Sequence, residues 1–543
     1  MNMRWILVIV GFTCCYGLLT ARLWNVQVKE GELYSVKAES QLKLASVLQP
    51  IRGNIYFSTR QGDVVPAAMN RNFPSIFAVP KEIEDTAEAV GQLRGIVARN
   101  EDELTSMLEK KDRSYAVLVQ KATPEQVEAI ANLHLKGVYV EENLARYYPL
   151  QKIGSHVLGF VSENGSSSGR PIGQYGAERF YEEKLAGKKG ATDGDTIVRG
   201  ETGDDIVLSI DRNIQDRASE IMEKLVTQYS AEGGSFIVSD PKTGKILAMG
   251  GVPAFDPNTY SSSALKTFLN PNVQEVYEPG SIFKVLTMAA GIDSGAITPE
   301  TTYYDSGSLT SNGFTVRNWD KKSHGTVSMT YVIENSLNTG AAFAERKTGH
   351  AKFYEYLQKF GFKETTGIDL PGERIGSLAP LEEKNAAEIN FATASYGQGI
   401  SVTPIQLIRA IGAIANKGVM TRPFLSLAST ASRGERVIAE ETAKQVTDMM
   451  VSAVDKAQIA KIPGYRVAGK TGTAFIPNFG GKGYTDQVIN TYVGFAPASN
   501  PKFIILLRLV KPAGAPLAGL TVVPAFRELA EFSLGYYNVP PDR

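Results

Sequence analysis

The chain has 543 residues, 43% apolar and 21% charged, which excludes wholesale disorder, a collagen-like fibre and a polytopic membrane protein and leaves room for about two to four domains. Lys plus Arg and Asp plus Glu both number 57, so the surface carries no long-range field to attract nucleic acid, and no DNA or RNA partner is expected. The only cysteines, Cys14 and Cys15, are neighbours, and His134, His156, His324 and His350 fall in no ligand spacing, so neither a metal nor a cofactor is expected.

From Trp5 to Ala21 the chain is uncharged, bounded by Arg4 and Arg22. At ~1.5 Å per residue this run reaches roughly 25 Å as a helix, enough to span a bilayer. No A-x-A cleavage site follows it, so an uncleaved transmembrane anchor is predicted over 4–24, with 1–3 as a cytoplasmic tip. The flanking charges orient it poorly, and the large remainder is placed outside the cytoplasm on size. Arg22 to Lys43 reads as a polar helical stalk. Short extended runs follow over Ala45 to Arg60, and Lys81 to Leu133, rich in Glu, Ala, Leu and Gln, reads as a helical insertion. Together 25–205 is read as an elongated α+β pedestal, closed by the Gly/Ser loop Ser162 to Gly173 and the Gly-rich joint Lys188 to Asp205.

The second domain is placed at 206–543. It opens with a strand and an amphipathic helix (DIVLSIDRNIQDRASEIMEKLVTQY) and a hairpin (GSFIVSDPKTGKILAMGG). Helices gather at Ser281–Ala296, Met329–Lys347, Ala351–Phe360, Ile405–Asn416 and Glu440–Ala457, and strands return at Tyr465–Phe475, Thr491–Ala496 and Phe503–Val510. This order predicts an α+β fold: an antiparallel sheet whose last strands pair beside its first, with a helical cluster alongside.

A serine nucleophile without a histidine can use a lysine three residues on, provided burial or charge lowers the lysine pKa. Ser-x-x-Lys occurs five times, at Ser40, Ser239, Ser263, Ser281 and Ser499. Proline inside SDPK and SNPK breaks any helix at Ser239 and Ser499. Ser40 lies in the stalk, and Ser263 has no clear helix start. Ser281 follows Pro279-Gly280 and opens the apolar run SIFKVLTMAAGI, so Ser281 and Lys284 are the candidate nucleophile and base, the bland reading being an N-cap serine. Ser336-Leu337-Asn338 supplies a hydroxyl and an amide at a helix start or loop, while Ser162-Glu163-Asn164 falls in the Gly/Ser loop and is read as linker. Lys-Thr-Gly occurs three times. Lys242-Thr243-Gly244 fits a hairpin turn and Lys347-Thr348-Gly349 a helix end. Lys470-Thr471-Gly472-Thr473 lies in an extended run, where a strand can offer a cation and hydroxyls to an anion and the bare Gly472 lets substrate approach.

Two familiar patterns are set aside. Gly464 to Thr471 satisfies GxxxxGK[ST] but is followed by TGTAFIPNFGG and no helix. Gly165 to Gly169 satisfies GxSxG without a strand-to-helix elbow.

SIFK, SLN and KTGT in this order resemble the three motifs of the penicilloyl-serine transferases, the penicillin-binding proteins and serine β-lactamases. EPGSIFK, SDPKTGKILAM, FDPN, YGQGISVTPIQL, GKTGTA and VGFAPASNPKF resemble a class B penicillin-binding protein, nearest the septal, cell-division type. Arg52-Gly53-Asn54-Ile55 and Gly173, Gly176, Glu178, Tyr181, Leu185, Gly187 and Gly190 resemble its pedestal; IYFSTRQG departs from it, lacking the usual Asp-Arg pair.

The resemblance implies a membrane-bound peptidoglycan D,D-transpeptidase acting at the division septum, inhibited by β-lactams and needing no cofactor. Ser281 would attack a D-Ala-D-Ala donor stem peptide with Lys284 as base, Ser336 as proton relay and Lys470 as the cation favouring a neutral Lys284. Asn338 would bind the acyl chain, Thr471, Gly472 and Thr473 the terminal carboxylate, and the N–H groups of Ser281 and Thr473 would form an oxyanion hole, each donor contributing roughly 3 kcal/mol. An amine of a neighbouring stem would accept the acyl group. A membrane-embedded SEDS-family glycan polymerase and division proteins are the implied partners. An elongation-type transpeptidase, a non-catalytic β-lactam receptor or scaffold and a β-lactamase are the alternatives, while the pedestal leaves little room for a class A glycosyltransferase.

Overall fold

The computed structural model describes residues 3–26, 49–113, 115–162, 171–193, 196–311, 313–429, 434–481, 483–514 and 517–543. Most of the stalk, with Ser40, and the loop residues Glu163, Asn164 and Gly165 to Gly169 lie outside them. The chain divides into two compact units, Met1–Gly53 with Glu183–Asp204, and Asn54–Glu182 with Asp205–Arg543.

The first unit contains a 22-residue helix, Met3–Trp24, and a two-stranded ribbon, Ala191–Asp193 with Thr196–Val198. Among the described residues no helix is long and apolar enough to cross a membrane; the side chains at 4, 5, 7 and 8 of this helix lie outside them. Gly53 donates its N–H to the Leu185 carbonyl at 2.9 Å. A Cβ at Gly53 would lie 2.0 Å from the Asp204 carbonyl oxygen, so only glycine lets these backbones meet.

The second unit holds two five-stranded sheets beside smaller two-stranded ones. In the anterior one the strands run in the order Ala116–Val119, Val64–Ala78, Ile55–Ser58, Ile206–Asp211, with Val138–Tyr147 also paired to Val64–Ala78. Ile206–Asp211, read from sequence as the opening of the second domain, pairs in parallel with Ile55–Ser58. Lys81 to Leu133 is not helical throughout. Helices Thr86–Leu93, Glu101–Leu108 and Pro124–Leu133, N-capped by Asp85, Asn100 and Thr123, alternate with the strand Ala116–Val119. Each cap accepts from the N–H three residues on, satisfying a donor the helix start leaves open. Leu93, Leu104, Leu108, Leu118 and Ile76 then close one apolar core.

The posterior sheet has five antiparallel strands in the order Ile246–Val252, Gly233–Ser239, Phe503–Val510, Tyr484–Ala496, Ala468–Pro477. The last strand of the chain therefore pairs beside the first of this sheet, as its order in sequence predicts. Gly233–Ser239 is buried along its whole length, because helices cover both faces and a two-sided strand must be apolar throughout. On one face Phe236, Val238, Ile505, Leu507 and Leu509 meet Ile214, Ile221 and Met222 of helix Arg212–Gln228 and Phe526 and Leu529 of helix Val522–Tyr536. The turn Gly280–Phe283 and helix Glu440–Ala457 pack on the edge strand Ala468–Pro477. The candidate residues sit at that junction.

Candidate active site

Ser281 is the second residue of a 3-10 turn, Gly280–Phe283, which passes into the α-helix Lys284–Asp293. The sequence reads it as a helix opening; in the structure its hydroxyl caps nothing, since the turn has no side-chain cap. The turn is seated by Gly280, whose φ is +60° and whose N–H donates to the Gly397 carbonyl at 2.9 Å. A Cβ at Gly280 would press on Ala474 Cβ and the Thr473 carbonyl at 3.1 and 3.2 Å. Glycine is thus needed both for the left-handed backbone and for the approach to the strand.

The predicted helix Met329–Lys347 is two helices, Met329–Asn335 and Asn338–Thr348. Ser336 between them is left-handed, φ 55° and ψ 44°, a conformation that costs a non-glycine residue roughly 1–3 kcal/mol. Periodicity does not register such a break, because the apolar spacing continues across it. The break aims the hydroxyl of Ser336 at two amines, Lys284 Nζ at 3.2 Å and Lys470 Nζ at 2.9 Å.

Lys284 is fully buried. Its Nζ lies 3.0 Å from Ser281 Oγ, 2.5 Å from the Ser336 carbonyl and 2.8 Å from Asn338 Oδ1. A neutral amine has two N–H groups and one lone pair. The carbonyl of Ser336 and the amide oxygen of Asn338 can only accept, so they take the two N–H groups and leave the lone pair for the hydroxyls. Burial, and then the charge of Lys470, hold the Lys284 amine well below the ordinary lysine value. Burial brings Lys470 down to about 7.

Along Ala468–Pro477 burial alternates, with Lys470 and Gly472 buried and Thr471 and Thr473 half-buried. Lys470 is 3% exposed, and its Nζ returns to the Thr471 carbonyl and Oγ1 at 3.1 and 3.3 Å. Thr473 Oγ1 accepts from the N–H of Ala518 at 3.3 Å. The structure adds a reason for Gly472. A Cβ there would lie 2.3 Å from Thr491 Oγ1 and 3.0 Å from both Ile282 Cγ1 and the Pro279 carbonyl, so its missing side chain admits the turn that carries Ser281. Gly472→Val is expected to push that turn away and slow acylation of Ser281 by roughly 100-fold, measured as the rate of penicillin uptake; a change under about threefold would remove Gly472 from the seat of the turn.

The other copies of each motif lie elsewhere. Lys242 to Gly244 form the hairpin turn, with Thr243 Oγ1 donating to Asp240. Gly349 ends helix Asn338–Thr348 at φ 84°. Ser263 closes one 3-10 turn and Lys266 lies in the next. Gly464 to Thr471 runs into a strand. Sequence reading meets Tyr396 only as the start of YGQGISVTPIQL and gives it no role, yet its ring centre is 6.0 Å from Lys284 Nζ. It passes over Asn318, which accepts from the N–H of Asn338 at 3.0 Å. No spacing rule points to either, since both reach the site through loops.

Two family models match the chain: the penicillin-binding protein transpeptidase domain over residues 234–531 and the penicillin-binding protein dimerisation domain over 47–207. Stage V sporulation protein D of Bacillus subtilis is 31% identical over 96% of this chain and 84% of its own length. Peptidoglycan D,D-transpeptidase FtsI of Escherichia coli is 27% identical over 95% and 88%. Among solved structures, penicillin-binding protein 3 of Mycobacterium tuberculosis, complexed with aztreonam, superposes with a TM-score of 0.70 at 26% identity, covering 91% of this chain and 98% of its own. With both domains matched and a buried lysine set between the serines of two motifs, the chain belongs to the class B penicillin-binding proteins.

Proposed function

We propose that this chain is a peptidoglycan D,D-transpeptidase of the septal type, working through an acyl-ester on Ser281. The observation that carries the chemistry is the Lys284 amine, buried, flanked by two obligate acceptors and 3.0 Å from Ser281 Oγ. Ser281 Oγ attacks the carbonyl of the penultimate D-alanine while its proton passes to Lys284. Ser336, within reach of both lysines, passes a proton to the departing nitrogen of the terminal D-alanine. Lys470, Thr471 and Thr473 hold the terminal carboxylate beside the bare backbone of Gly472, and the N–H groups of Ser281 and Thr473 receive the oxyanion. Asn338 first serves Lys284 through Oδ1; its amide Nδ2 gives one N–H to the Arg317 carbonyl and has the other to meet the acyl chain. An acceptor amine then attacks the ester, forming the cross-link and restoring Ser281. A β-lactam enters by the same attack and stays.

The septal role is supported by the sequence resemblance. In this reading 4–24 is a transmembrane anchor, 25–205 the pedestal and 206–543 the transpeptidase domain. The uncharged run Trp5 to Ala21 supports the anchor, as do Phe12 and Leu18, 75% and 72% exposed on helix Met3–Trp24. The partners of this reading are a SEDS-family polymerase and division proteins in the membrane.

Intact-mass spectrometry after mixing with penicillin tests the chemistry: one adduct, mapped to the EPGSIFK peptide, is expected to last many minutes. Rapid return to the free mass with penicilloate would make the protein a β-lactamase, and no adduct would make it a scaffold. Depletion in cells tests the role. Wall synthesis should stop at the septum; loss along the side wall would assign the elongation type.

A further inference from the structure

Ser336 is held on both sides by three consecutive residues that end the strand Phe314–Arg317 and follow it. Before it, the carbonyl of Asn335 accepts from Trp319 Nε1 at 3.0 Å. After it, Asn338 Nδ2 donates to the Arg317 carbonyl at 2.8 Å. Asn318 Oδ1 accepts from the N–H groups of Asn338 and Thr339 at 3.0 and 3.3 Å. Helix Asn338–Thr348 has Leu337 at its N-cap, with no side-chain acceptor. Asn318 therefore caps it from outside, satisfying two donors that the helix start leaves open.

An amide can present oxygen or nitrogen, and the far end of Asn318 decides which. Its Nδ2 donates to Asp305 Oδ2 at 2.9 Å and to the Lys322 carbonyl at 3.3 Å. Asp305 is fully buried at the end of strand Thr302–Asp305. Its carboxylate also accepts from the N–H groups of Gly307 and His324, both at 3.0 Å, and from Thr339 Oγ1 at 2.7 Å. A carboxylate only accepts, so Asn318 must turn its nitrogen inward and its oxygen to the helix.

We infer that Asn318, oriented by Asp305, is a positioning residue for acyl transfer, holding the backbone of Asn338 so that its Nδ2 meets the Arg317 carbonyl and its amide oxygen, not its nitrogen, faces Lys284. This rests on the reading of Lys284 as base. With Oδ1 toward the amine, an N–H is taken up and the lone pair turns to Ser281. With Nδ2 toward it, the amide donates into that lone pair and the base is quenched. The other groups facing Lys284 are Lys470, through the shared Ser336 hydroxyl, and the ring of Tyr396. Neither supplies the missing acceptor.

Acylation of the purified protein by a chromogenic cephalosporin, followed by stopped flow from about pH 5 to about pH 9, tests this. Asn318→Ala is expected to lower the plateau roughly 100-fold. It should also move the acid limb to lower pH, because the Lys284 ammonium loses an acceptor. Asn318→Asp keeps an oxygen for the two N–H groups but sets a second carboxylate against Asp305, and the pair then shares a proton. It should recover most of the rate on the acid side and lose it toward alkaline pH. Wild-type rates in either variant, or a loss with the acid limb unmoved and no acid-side recovery, would overturn the inference. If Asn318→Ala does not fold, Asn318→Asp decides by the same criterion. Absence of a Ser281 adduct in the wild-type protein would overturn the Lys284 reading itself.

Discussion

Ser281→Ala is expected to give a folded protein that takes up no penicillin at any time of mixing. The nucleophile is the one atom for which the site has no substitute, since the acyl group must rest on an oxygen next to the Lys284 lone pair. Ser336 Oγ also lies beside Lys284, but it is held by Lys470 as well and sits on the strained break between two helices. The fold loses little. Among the described residues Ser281 Oγ bonds only Lys284 Nζ, and a partly exposed hydroxyl that caps nothing contributes within about 1 kcal/mol. Intact mass and a thermal melt read the two outcomes together. Label retained by the variant at Ser263 or Ser40 would move the nucleophile.

Lys284→Met is expected to slow acylation by about 10²–10⁴-fold, the range for removal of a general base. Methionine keeps the unbranched stem in a site with 0% exposure, so the packing of helix Lys284–Asp293 is retained. What disappears is the lone pair beside Ser281 Oγ, together with the N–H groups that the Ser336 carbonyl and Asn338 Oδ1 accept. The rate constant for adduct formation separates this from a binding defect, since extra penicillin does not restore a missing base. A fall of less than about tenfold would assign proton removal to another group.

Much of this site was legible because its first element is local. A serine and a lysine three residues apart share a helical face, and only the copy after Pro279-Gly280 had a helix to open. The return of Phe503–Val510 beside Gly233–Ser239 followed from the order of apolar runs. The break at Ser336 was not legible. It depends on Trp319 and Asn318, which reach it from the turn after a separate strand, and no local pattern carries a non-local restraint. The anterior insertion was misread for a different reason. Ala116–Val119 lies among helix-forming stretches inside Lys81 to Leu133, so its neighbours counted toward a helix while pairing with Val64–Ala78 decided for a strand. Helix Val522–Tyr536 was not anticipated; its Pro524 lies in the first turn, where proline is tolerated. The part Gly472 plays inside the fold was not legible, because the neighbour its missing side chain makes room for, the Thr491 hydroxyl, is distant in sequence.

The central claim is that Lys284 is a neutral amine beside Ser281 near neutral pH, and the pH dependence of wild-type acylation tests it most directly. Below the depressed value of Lys284 the amine is protonated, so the rate must fall as pH falls through that value. As pH rises past about 7, Lys470 loses its proton and with it the cation that holds the substrate carboxylate, so the rate must fall again. The expected profile is a bell whose alkaline limb lies near neutrality. A rate that instead climbs steadily through neutrality toward about pH 10.4, the value of an ordinary lysine, would show that Lys284 is protonated at neutral pH and is not the base.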